Sequence, residues 1–154
     1  MTISQHLAKN LRDVYFGGNW TASDLKTQLN DVTWQQATTQ VFGLNTIATL
    51  VFHLNYYVKE VTKVLQGQPL TASDKFAFTY PPIQNREDWE RQRDSIWADA
   101  EAFAQLIEQL PDEKLLQDFA DPKYGTYYRN LAGIIEHIHY HLGQIAVVKK
   151  IVNT

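Results

Sequence analysis

Residues 126–152 read TYYRNLAGIIEHIHYHLGQIAVVKKIV. Leu131, Ile134, Ile138, His141, Ile145, Val148 and Val152 recur at intervals of three and four, the period of a helix that buries one face. The stretch therefore predicts a long helix from near Thr126 to about Val152, with a histidine inside its core-facing series.

Three further segments share that period. Ile3, Leu7, Leu11 and Val14/Tyr15 mark a first helix over Ile3–Phe16, closed by Gly17-Gly18-Asn19. Ile47, Val51, Leu54, Val58, Val61 and Leu65 mark a second, starting at Asn45-Thr46 and stopped by Gly67-Gln68-Pro69. Trp89, Ile96, Phe103, Leu106 and Leu110 mark a third, capped by Asn85 with Glu87 and Asp88 in its first turn, where the helix dipole favours anions. Between the first two lies a linker, Trp20 to Gly43, in which Ser23-Asp24 and Asp31-Val32-Thr33 predict caps of short helical turns. Leu70 to Gln84 forms a loop carrying Phe76, Phe78 and Tyr80, too aromatic for a solvated tether and expected to pack across the end of the bundle. Pro111-Asp112-Glu113 opens a short extra turn. Four long amphipathic helices without strand signals or a fixed repeat predict an all-α four-helix bundle, one domain over residues 1–154.

Composition narrows the function. A formal charge of −3 with scattered Lys and Arg lacks the basic stripe that neutralises phosphates, which argues against a nucleic-acid binder. The chain has no cysteine, so disulfides, thiolate zinc sites and a protein thiol nucleophile are all excluded. No apolar run approaches the roughly 20 residues that span a bilayer. Met1–Asn10 has neither the charged nor the apolar region of a secretory leader, so a cytoplasmic location without membrane attachment is expected.

The five histidines are His6, His53, His137, His139 and His141. Positions i and i+4 share a helix face whereas i and i+2 do not, so His137 and His141 point at one spot and His139 stands apart. His53 supplies a third imidazole if the second helix packs beside the fourth. Three neutral imidazoles with an open position make a metal site that still admits substrate or water. The other reading is a set of core histidines satisfied by hydrogen bonds. Two sharper motifs fail. The zincin pattern requires Glu after its first His, and Ile138 follows His137. Glu136-x-x-His139 matches one element of di-iron bundles, but the second element and the further glutamates are missing.

Asn45-Thr46-Ile47-Ala48-Thr49-Leu50-Val51-Phe52-His53, followed by Glu136-His137-Ile138-His139-Tyr140-His141-Leu142-Gly143-Gln144-Ile145, resembles the DinB-like superfamily. The resemblance extends over the whole chain, including Trp20 and the Leu110-Pro111-Asp112-Glu113 segment. It implies an up-down-down-up bundle, a homodimer, and a divalent metal held by His53, His137 and His141. Zn or Ni leads the expected ions, followed by Fe, Co or Mn. Gly143 is expected to let helices approach closely, and Gln144 to act as a donor behind the ligands.

Characterised branches of that superfamily include transferases and isomerases that use a low-molecular-weight thiol such as bacillithiol or mycothiol. The expectation is accordingly a metal-dependent transferase or hydrolase acting on a small electrophile, with Phe76, Phe78 and Tyr80 as candidate pocket walls and no protein general base identified. The competing expectation is a stress-related or partner-binding bundle whose metal site is structural or vestigial.

Overall fold

Each long helix begins at a side chain that satisfies one of its otherwise orphaned amides. Thr2, Thr46, Asn85 and Thr126 accept from the backbone N–H of Gln5, Thr49, Asp88 and Arg129, respectively. Loss of such a cap costs about 1 kcal/mol. The computed structural model describes residues 1–154 as α1 (Ile3–Phe16), α2 (Leu25–Leu29), α3 (Trp34–Thr38), α4 (Ile47–Leu65), α5 (Arg86–Glu108), α6 (Asp112–Leu115) and α7 (Tyr127–Val152), with a 3₁₀ turn at Pro122–Tyr124. Asp24 and Thr33 cap α2 and α3, as the linker sequence predicts. Gly17 (φ 105°) ends α1 and Gly67 (φ 84°) follows α4, both in the left-handed region that disfavours other residues.

The long helices close a ring in which α1 and α4 each lie against both α5 and α7. Asp112 accepts from the amides of Ile3 and Ser4, and Arg12 reaches Glu101, so α1 and α5 run antiparallel. Gln92 donates to the Ala48 carbonyl and Asn55 to Asp99, so α4 and α5 run parallel. Leu50 lies near Val147 and Val64 near Tyr127, which makes α4 and α7 antiparallel. One apolar cluster fills the ring, including Tyr15, Trp89 and Phe103. Trp89 also donates its indole N–H to the Val32 carbonyl at 2.8 Å, tying the first linker to the bundle.

Three details of the helices differ from the sequence expectation. The buried face of α1 is Ser4, Leu7, Ala8, Leu11, Val14 and Tyr15, while Ile3 stays half exposed because Asp112 anchors that end by backbone hydrogen bonds. α5 stops at Glu108 rather than Leu110, since Pro111 disfavours helical geometry in the residue before it. Ile107, not Leu106, reaches the core.

The loop after α4 does not cross the bundle end. It runs back along the flank of α4, held about once per turn: Thr71 to Glu60, the Ser73 amide to Tyr56, Tyr57 to Asp74, and Tyr80 to Thr49. Polar side chains on the outer face of α4 hold it there, and the apolar count alone could not reveal that direction. The loop therefore lies beside His53.

Candidate metal centre

α4 presents His53 at mid-helix, and the antiparallel α7 brings His137 and His141 to the same level, one turn apart. The three Nε2 atoms converge: His137 lies 3.1 Å from His53 and 3.0 Å from His141. His53, His137 and His141 form a group whose ligand atoms can reach one ion, and no carboxylate belongs to it. His6 and His139 stand outside. Glu136 is exposed and lies 4.0 Å from Arg129.

The hydrogen bonds behind the rings set the tautomers. His53 Nδ1 lies 3.2 Å from the Ala77 carbonyl, which can only accept, so Nδ1 carries the proton. His141 Nδ1 lies 2.6 Å from Gln144 Oε1, whose amide is oriented by Nε2 donating to the Tyr140 hydroxyl. That proton is likewise assigned to Nδ1. Both outer Nε2 atoms are then bare lone pairs aimed at His137 Nε2.

A proton on His137 Nε2 can serve only one of those neighbours. A second proton is disfavoured. Burial, then the neighbouring His141 and His53, push the His137 pKa down to about 4. Burial also lowers those of His53 and His141. At least one neighbour's Nε2 lone pair is therefore left without a donor about 3 Å from His137 Nε2, and His137 Nδ1 is buried without a partner. A cation among the three nitrogens removes that conflict. Nitrogens about 2.0–2.1 Å from a tetrahedral zinc-like ion would lie about 3.3–3.4 Å apart, so small ring rotations suffice. The residues fit a metal ion.

Aromatic rings enclose the trio. Phe78 stacks on His53 with centroids 4.1 Å apart, and the Tyr57 ring meets His53 and His137 edge-on at 5.4 and 5.3 Å. Tyr57 donates to Asp74 at 2.5 Å, and burial raises its hydroxyl to about 12. Of the loop aromatics expected as walls, only Phe78 touches a histidine. Tyr80 packs on Phe52 one turn away, and Phe76 is half exposed.

Two expectations around the trio need correction. Gln144 does stand behind His141, but as an acceptor, because the bound ring nitrogen must donate. Gly143 mediates no close helix approach, since a Cβ there would meet nothing within 4 Å. Sequence reasoning also missed Tyr57, Asp74 and the Ala77 carbonyl. Tyr57 had a signal, one turn after His53. The loop residues had none.

No helix is long and apolar enough to cross a membrane. No curated protein and no solved structure matches the chain. The family model of the DinB superfamily matches residues 19–145, a span that contains all three histidines. By that match and its helical architecture, the chain belongs to the DinB superfamily.

Proposed function

We propose that His53, His137 and His141 bind one divalent metal ion through Nε2, and that the protein is a metal-dependent transferase or hydrolase acting on a small electrophile. The observation that carries this reading is the convergence of three neutral imidazoles whose lone pairs no arrangement of protons can satisfy. Zn or Ni suits an all-imidazole set, with Fe, Co or Mn behind them. A divalent ion bound there supplies a Lewis acid that lowers the pKa of a thiol or water and so provides a nucleophile at neutral pH.

The chain's own residues do the rest. Gln144 and the Ala77 carbonyl hold His141 and His53 in the tautomer that leaves Nε2 free. Phe78 and Tyr57 pack against the imidazoles and limit the directions from which a small molecule can approach. Asp74 accepts from Tyr57 and fixes its ring against two histidines. The same reading includes a low-molecular-weight thiol as co-substrate, a single domain acting as a homodimer, and a cytoplasmic setting.

A second reading has its own observation. His53 and His141 are less than a tenth exposed, and Phe78 lies flat over His53, which suits a structural or vestigial site in a non-catalytic bundle. Turnover separates the two. Protein loaded with Zn or Ni, a small thiol and monobromobimane should form the thioether faster than the uncatalysed mixture. Chelator or His53→Ala should abolish the difference. Rates that ignore both treatments, or no acceleration with any of the five ions, would leave the non-catalytic reading. Chelator then decides between its forms, because only a structural metal contributes folding free energy.

A further inference from the structure

Gly143 lies within the 26-residue α7, where glycine costs about 1 kcal/mol relative to alanine. Helix packing does not account for it, because the space beyond its Cα is open. That space is part of a groove of about 540 Å³ between α7 and the turn that leads into α4. Leu44, Leu50 and Val147 line it together with Tyr140, Gly143 and Gln144, and no lining side chain is charged. Its size lies within the range of small-molecule sites, roughly 300–1,000 Å³.

The groove is joined to the histidines by one side chain. Gln144 lines it while accepting from His141 at 2.6 Å, and its amide nitrogen donates to Tyr140 at 3.3 Å. That nitrogen has a second N–H, and the Tyr140 hydroxyl has a proton; both are donors for an acceptor lying in the groove.

We infer that this groove binds the uncharged, largely apolar body of a small molecule carrying a hydrogen-bond acceptor such as a carbonyl, with Gln144 and Tyr140 as its donors. This rests on the proposed metal-dependent function only in identifying that molecule as the electrophile. A carboxylate-bearing thiol would meet no cation here and belongs elsewhere. Gln144 is then a positioning residue shared by the ligand and His141.

Two naphthalene probes test the inference: neutral 6-propionyl-2-(dimethylamino)naphthalene, whose ketone is the acceptor, and 1-anilinonaphthalene-8-sulfonate, whose naphthalene body carries a sulfonate. Fluorescence titration of the full chain should show saturable binding of the neutral probe and at least 10-fold weaker binding of the sulfonate. Gly143→Phe, which fills open space, should weaken the neutral probe at least 10-fold while metal content stays at the wild-type level. Val147→Glu, a change at an exposed position, should weaken it several-fold and serves equally if Gly143→Phe folds poorly. No binding by wild type, no effect of either variant, or tighter binding of the sulfonate would overturn the inference. Protein that takes up no added metal, yet still binds the neutral probe in a Gly143-sensitive way, would overturn the metal reading through its metal content and leave the groove standing.

Discussion

The α1–α5 seam and the α4–α7 seam stand on opposite sides of one ring, yet they bury different chemistry. α1 and α5 bring Leu11, Tyr15, Phe103 and Ile107 to the core and keep their charges on the rim, where Arg12 meets Glu101 at 2.9 Å and Glu108 at 3.1 Å. α4 and α7 bury His53 and His141 among Leu54, Ile138 and Ile145. A buried polar group without a full set of partners costs roughly 1–3 kcal/mol, and hydrocarbon of similar size costs nothing of that kind. The first seam carries that cost only at isolated hydroxyls, those of Ser4 and Tyr15, which are buried without a partner. The second departs from it by bringing three imidazoles to one point, which is why those positions are read as a site.

The largest expected effect lies in the first seam. Phe103→Ala should destabilise the protein by about 3–5 kcal/mol, measured by urea unfolding, because the fully buried ring leaves a cavity. Metal content of the remaining folded protein should stay at the wild-type level. A change there would mean that the seams are not separable.

In the second seam Gln144→Leu should cost about 10–100-fold in metal affinity with a small change in apo stability, as loss of a partner behind a ligand generally does. Competition with a chromogenic chelator measures it. An unchanged affinity would remove Gln144 from the site.

Acid should act through the same seam. The folded-state pKa of His137, about 4, lies below its unfolded value, so the unfolded chain binds more protons between about pH 6.5 and 4. Stability of the metal-free protein should therefore be fully present above that window and fall on the order of 1–2 kcal/mol through it. His53 and His141, lowered mainly by burial, act in the same direction. His137→Phe should flatten the profile, as read by thermal unfolding against pH.

The smallest effect belongs to the rim of the first seam. Arg12→Met should cost less than about 1 kcal/mol, because half-exposed ion pairs contribute little in water. A larger loss in a double-mutant cycle with Glu101→Gln would show that the pair acts as part of the core.

Much of this contrast could be read from residue spacing. The apolar stripe of α7 marked His141 as core-facing, and the i, i+4 relation joined His137 to it. Thr33, Thr46 and Asn85 announced their helices because capping is local chemistry. What spacing could not carry was contact across the chain. The identity of His53 as the third member needed the family resemblance, since nothing local says which helix lies beside α7. The path of residues 70–84 along α4 depends on hydrogen bonds to Tyr56, Tyr57 and Glu60 that leave no periodic trace. Gly143 misled for a related reason. A glycine in a helix signals close packing or open space equally well, and only the surroundings decide.

On the proposed function, the α4–α7 seam buries its imidazoles to hold a metal ion. Metal content by inductively coupled plasma mass spectrometry, on tag-free wild type beside His141→Ala, tests it most directly. Wild-type protein should carry close to one divalent ion per chain, and the variant almost none. Wild-type protein that is metal-free as purified, and that takes up neither added Zn nor added Ni, would contradict it.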